Sequence, residues 1–122
     1  MKKSLSLIGV VLGLLFLISS CSSVPKNANL TGKWLYDYGE NLDQKGSMSL
    51  NQDGYEVTGT SNNVDGQYTI TGKVVGSKFN YEGQSDKNTF TASCDLTSEN
   101  AFEGSYTSTS GTAGDIEARR VK

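Results

Sequence analysis

The chain has 122 residues, with eleven Lys and Arg against thirteen Asp and Glu, and no histidine. A mildly acidic balance argues against nucleic acid as a partner, because affinity for a phosphate backbone comes from clustered cations. Without histidine the chain also lacks the commonest general base and the commonest metal ligand.

The first residues read as an export signal. Lys2 and Lys3 supply a positive start, Leu5 to Ile18 form an apolar run broken only by Ser6, Gly9 and Gly13, and Ser19 and Ser20 precede Cys21. The run falls short of the roughly 20 residues that cross a bilayer as a permanent helix. Leu17-Ile18-Ser19-Ser20-Cys21 resembles the lipobox of bacterial lipoproteins. The resemblance implies a cleaved helical signal peptide over residues 1–20 and a diacylglycerol thioether on Cys21, usually followed by N-acylation (a palmitate-type chain). Two or three acyl chains hold a protein on a membrane, where a single one binds only marginally at about 0.8 kcal/mol per buried CH₂. Ser22 stands where Asp would retain an enteric lipoprotein in the inner membrane, so the expected place is the cell envelope. There it is lipid-anchored at the outer membrane, facing the periplasm or the cell surface. Residues 21–29 form a polar lipidated tether, and Ser22 to Asn29 reach at most roughly 25–29 Å when extended.

Removing the first 20 residues leaves 102, enough for one domain over residues 30–122. Its balance is about −4, because eleven basic residues less Lys2 and Lys3 face all thirteen acidic ones. With Cys21 lipidated, Cys94 has no partner within the chain, so the domain folds without a disulfide. Alternation places Cys94 with Phe90, Ala92 and Leu96, as a small buried apolar residue.

Short alternating runs separated by Gly, Asn and Asp fill the rest of the chain, the pattern of an antiparallel all-β domain. Eight are expected: Gly32–Tyr38, Ser47–Gln52, Tyr55–Ser61, Gln67–Val75, Lys78–Gly83, Thr89–Leu96, Phe102–Thr107 and Asp115–Val121. Asp53-Gly54 suits a primed two-residue hairpin in which both central residues need φ > 0. Asn62–Gly66, Gly76-Ser77 and Ser98–Asn100 supply further turns. Parity puts Trp34, Tyr36 and Tyr38 on one face of the first run, and Tyr55, Tyr68, Tyr81 and Tyr106 on the corresponding face of later runs. The opposite faces are mostly Ser, Thr, Asn, Gln, Lys and Glu. One apolar face on every strand, joined by hairpin-length links, predicts an eight-stranded antiparallel up-and-down meander barrel, which covers that face and removes exposed edges.

Gly59, Gly72, Gly83 and Gly104 each fall two residues after an apolar one, on the inward face. Glycine there permits a sharp bend or close backbone approach, or opens room for a ligand. At its first and last strands the sequence resembles the calycins, the barrel superfamily of lipocalins, fatty-acid-binding proteins and avidins. Their mark is Gly-x-Trp on the first strand with a last-strand arginine packed across the indole. Gly32-Lys33-Trp34 matches, and Arg120 has the inward parity of Ile116 and Ala118, with Arg119 the second candidate. An arginine over an indole contributes about 0.5–2 kcal/mol. The opening Leu30-Thr31-Gly32-Lys33-Trp34 is most similar to avidins, yet Tyr36, Glu40 and Ser61 stand at their biotin-contacting positions and Trp34 is the sole tryptophan. Biotin is therefore not the expected ligand.

Catalytic chemistry finds no foothold. The acidic residues are scattered, no calcium-loop pattern follows Asp53-Gly54 or Asp65-Gly66, and the serines and threonines have no activating base. Carboxylate pairs such as Asp37/Glu40 and Glu56/Glu82 are read as a solvated outer face rather than a glycosidase site. The expectation is a binding protein, not an enzyme, with no cofactor and no metal. Tyr36, Tyr38, Tyr55, Tyr68, Tyr81 and Tyr106 are the candidate ligand-lining residues. The partner is a small apolar or amphipathic ligand or, alternatively, a protein, such as an exogenous hydrolase to be inhibited or an envelope complex to be joined. Replacing Cys21 with serine should release or mislocalise the protein with its fold intact. Fractionation of the envelope together with circular dichroism checks both halves of that expectation.

Overall fold

A computed structural model describes residues 28–122. The expected signal peptide, Cys21 and most of the tether lie outside the described residues. Eight strands follow in order: β1 (Gly32–Gly39), β2 (Gln44–Asp53), β3 (Glu56–Asn63), β4 (Gly66–Val75), β5 (Lys78–Gln84), β6 (Thr89–Ser98), β7 (Ala101–Ser108) and β8 (Ala113–Arg120). Each pairs antiparallel with its neighbours in sequence, and β1 pairs with β8, so the sheet closes into an up-and-down barrel. The outer face is polar, with Ser47, Ser49, Thr58, Thr60, Thr69 and Thr71 among its exposed residues. A barrel embedded in lipid would carry an apolar outer belt instead.

Tight coiling of a small barrel brings strand backbones together at its corners, and glycine is required there. A Cβ on Gly59 would lie 2.0 Å from the Ser49 carbonyl oxygen, and one on Gly104 would lie 2.0 Å from that of Ser93. Close backbone approach, one of the two roles open to the inward glycines, is the one Gly59 and Gly104 have, whereas Gly83 faces the Phe90 ring.

The expected strands are present, each displaced by up to three residues at its ends. One turn differs in a way that matters. Asp53 pairs with Glu56, so the β2–β3 turn is Gly54-Tyr55, with Gly54 at φ 65°. Glycine thus occupies the first central position, the demand of a type II′ turn, rather than the second. The consequence is a correction to Tyr55. It leaves the strand, loses its inward parity and is 71% exposed at the hairpin tip.

The β2–β3, β4–β5 and β6–β7 turns gather at one end of the barrel, which is closed. Residues 28–31 cross it, and Leu30 and Trp34 are fully buried there. Trp34 Nε1 donates to the Leu30 carbonyl at 2.9 Å. Gln52 stitches the same segment, accepting from Leu30 N–H at 2.8 Å and donating to the Ala28 and Gly54 carbonyls at 3.0 Å each. Arg120 completes the closure. Its guanidinium carbon stands 4.6 Å from the Trp34 ring centroid. Its nitrogens donate to the carbonyls of Thr31 (2.7 Å), Asn29 (2.6 Å) and Glu99 (2.9 Å) and to Asn100 Oδ1 (3.0 Å). Arg119, the second candidate, points outward to Asp37 at 3.5 Å.

Above this plug the lower barrel is filled. Trp34 and Phe102 have ring centroids 5.0 Å apart, and Phe79 meets Phe102 edge-on at 5.3 Å. Ile70, Val57 and Cys94 complete a dry interior. Since four of the Arg120 bonds depend on a planar fork, lysine cannot replace it. Arg120→Lys and Arg120→Ala should each lower stability by about 2–4 kcal/mol, the scale for losing charge-assisted hydrogen bonds at a partly buried site. Denaturant unfolding followed by Trp34 fluorescence measures it.

Candidate functional site

The upper half of the barrel is not filled. At the end opposite the plug, β1 ends, β2 begins, and the β3–β4, β5–β6 and β7–β8 connections surround a cup of about 230 Å³. Its walls are aromatic, with Tyr36, Tyr38, Tyr68, Tyr81, Phe90 and Tyr106, and its rim is polar. The cup therefore collects five of the six candidate tyrosines. Tyr55 is the exception, lying outside the barrel at the closed end beside Gln52 and Val74.

Glycines opposite the rings create the room these aromatics occupy. Gly46 pairs with Tyr36 across β1 and β2, and a Cβ there would sit 2.4 Å from the Tyr36 ring. Gly83 pairs with Phe90 in the same way, with the ring 2.2 Å from the Cβ position. Each aromatic folds over a glycine, which fixes its tilt along the wall.

Hydrogen bonds hold the wall in place. Tyr36 Oη and Ser61 Oγ share a bond of 2.6 Å at the cup floor, and Asn63 Nδ2 donates to the same phenol oxygen at 3.1 Å. Asn88 joins three elements of the rim. Its Nδ2 donates to Tyr68 Oη at 3.1 Å, while its Oδ1 accepts from Ser108 Oγ at 3.1 Å. Sequence reasoning passed over Ser61, Asn63, Asn88 and Ser108. Ser61 and Asn63 continue the inward parity of Val57 and Gly59, a signal that was present once polar residues were allowed on the inner face. Asn88 sits in a loop between β5 and β6, where parity says nothing.

Two buried hydroxyls in the cup have no partner among the described residues. Tyr38 Oη and Tyr81 Oη are buried and unbonded among the described residues. Tyr81 is the deeper, its ring stacked on Phe79 at 4.6 Å. Burial pushes the phenols of Tyr36, Tyr38 and Tyr81 upward from the ordinary value of 10.0, because the ionised form would lose its hydration. Burial also raises Tyr106, helped by the carboxylates of Asp65, Asp115 and Asp43 around the mouth. Among the described residues Asp65 is the only charged one lining the cup. The phenols of Tyr36, Tyr38, Tyr81 and Tyr106 are therefore neutral near pH 7.

Cys94 lies in the filled lower half, and burial pushes its thiol up to about 12. It is a core residue with no thiolate to offer. Among the described residues no group of three or more Asp, Glu, Cys or His could hold a metal.

No family model and no curated protein matches the chain. Solved structures do. The chain is similar to a de novo designed fluorescence-activating β-barrel, with TM-score 0.63 and 16% identity over 80% of this chain and 100% of that one. A redesigned β-barrel gives TM-score 0.60 and 14% identity over 76% and 92% of the two chains. Another redesigned barrel, mFAP1 bound to DFHBI, gives TM-score 0.52 and 16% identity over 75% and 94%. At such identities the likeness is one of fold, the closed eight-stranded antiparallel barrel.

Raised tyrosines link stability to pH in one direction. The folded chain keeps its phenolic protons above pH 10 while the unfolded chain releases them, so their share of stability is full below about pH 10 and is lost as pH rises beyond it. Denaturant midpoints should be level near pH 7 to 8, begin to fall near pH 9 as the unfolded chain releases the Cys94 proton, and fall more steeply above about pH 10. The fall should be shallower in Tyr38→Phe.

Proposed function

We propose that this protein is a lipid-anchored binding module of the cell envelope whose barrel mouth holds a small ligand. The observation that carries the reading is the division of the barrel interior. A filled, plugged lower half supports a cup lined by aromatics and rimmed by side-chain amides and hydroxyls. Pockets for small molecules have this make-up, apolar walls with a few placed polar groups. An eight-stranded barrel is wide enough for one such ligand when its interior is left partly empty. Among the barrels of similar fold, mFAP1 is bound to DFHBI, which supports a small-ligand role for this barrel.

Anchoring rests on the lipobox resemblance at Cys21. Residue 28 enters the barrel at the closed end, where Gln52 holds Ala28, so a tether from Cys21 would leave the cup opening away from the membrane. Among the described residues nothing in the arrangement of the acidic residues or serines assembles a reaction centre, and the module acts by binding rather than by turnover. Any remote kinship with calycins is carried by Gly32, Trp34 and Arg120 at the plug.

The test is retention of a small molecule. Full-length protein extracted gently from its envelope should carry one in native mass spectrometry. Ser108→Trp, which places an indole in the cup, should abolish retention without lowering the melting temperature by more than about 4–8 °C, roughly 1 kcal/mol for a domain of this size. Stoichiometric recovery of a partner protein with an empty cup would replace this reading with that of a protein-binding module.

A further inference from the structure

The chemistry of the cup restricts what it can hold. This deduction rests on the cup being the ligand site. Tyr38 and Tyr81 are 7% and 3% exposed, and their hydroxyls meet no acceptor among the described residues. Tyr68 Oη accepts from Asn88 and among the described residues has no acceptor for its own proton. A buried hydroxyl left unpaired is costly. Tyr68 has only its proton left to give, and the unbonded Tyr38 and Tyr81 hydroxyls can each donate to an acceptor.

Charge narrows the class further. Among the described residues no lysine or arginine lines the cup, while Asp65 stands at its rim. Asp43 and Asp115 act on Tyr106 from nearby. An anionic ligand would shed its water without meeting a cation. Size and shape exclude long chains as well. The floor is closed by the Tyr36–Ser61 bond and, below it, by the packed rings of Trp34, Phe79 and Phe102. A volume of about 230 Å³ exceeds the roughly 150 Å³ that encloses benzene by about half. The wall rings lie tilted and edge-on to one another, as in Tyr68 and Phe90 at 5.2 Å and Tyr38 and Tyr106 at 6.1 Å, so they offer both faces and edges to a planar guest.

We propose that the cup selects a flat, uncharged aromatic molecule of one or two fused rings, inserted with a hydrogen-bond acceptor such as a carbonyl toward Tyr81 and Tyr38. Tyr81 meets the acceptor at the floor, and Tyr38 serves a second acceptor or the same one from the wall. Fatty acids and other carboxylates are rejected, by the missing cation and by the closed floor.

Three probes of one skeleton test the proposal by calorimetric titration of the full chain: 2-acetylnaphthalene, 2-isopropylnaphthalene and 2-naphthoate. The ketone should bind, and naphthoate should bind at least about tenfold more weakly, a gap of about 1.4 kcal/mol. Tyr81→Phe should weaken the ketone by about tenfold and leave the hydrocarbon unchanged or tighter, while the ligand-free protein becomes more resistant to denaturant. A variant that had merely damaged the wall would weaken both probes and lose stability. The proposal is overturned if naphthoate matches the ketone, or if the ketone-to-hydrocarbon ratio is the same in wild type, Tyr81→Phe and Tyr38→Phe. In those cases binding itself survives and only the ligand class falls. Binding of none of the three probes would overturn the small-ligand reading of the cup together with this one.

Discussion

The fold depends on how one arginine closes one end of a barrel. A sheet of eight strands with one apolar face solves its edge problem by pairing β8 with β1, yet closure leaves two open mouths, and water in both would empty the core. Arg120 lies over Trp34 and donates to carbonyls of the entering chain and of the β6–β7 turn. Its charge is met by carbonyl dipoles and an aromatic face, with no carboxylate among its partners. Trp34 in turn bonds to Leu30, and the segment it holds is the lid of that end. With one mouth sealed in this way, the other is free to be a site.

That asymmetry runs through the interior. Phe79, Phe102, Ile70 and Val57 are packed in the lower half with nothing polar among them, and Ser61 marks the level where polarity begins. Above it tyrosines, amides and hydroxyls join Phe90 and Ile116 on the inner face. Tyrosine suits this boundary because its ring covers apolar wall while its hydroxyl can turn to a ligand or to water. The glycine partners of Tyr36 and Phe90 show that the wall was shaped ring by ring. Without Gly46 and Gly83 those rings would stand farther into the cup and shrink it.

Legibility in the sequence followed physical periodicity. Strand number, alternation and the inward set came from a period of two, which survives because every strand has one dry face. Cys94 and Arg120 were placed by the same parity. Tyr55 was misplaced because Asp53-Gly54 allows two registers for a two-residue turn, and a slip of one residue moves a side chain from the core to the hairpin tip. Asn88 could not be found at all. A loop residue has no parity, and its role arises only where β4, the β5–β6 loop and β7 converge.

By itself the sequence determined the class of fold, its eight strands in simple order, and the expectation of an export signal ending at Ser20, just before Cys21. These are local or periodic properties, written in runs of a few residues. Only the tertiary structure decided that the barrel is full at one end and hollow at the other. That division depends on which of many inward side chains meet across the interior, and a period of two says that a residue points inward without saying what stands opposite. Whether Arg120 plugs an end, and whether Tyr38 and Tyr81 find partners, are likewise decided by contacts between strands far apart in sequence.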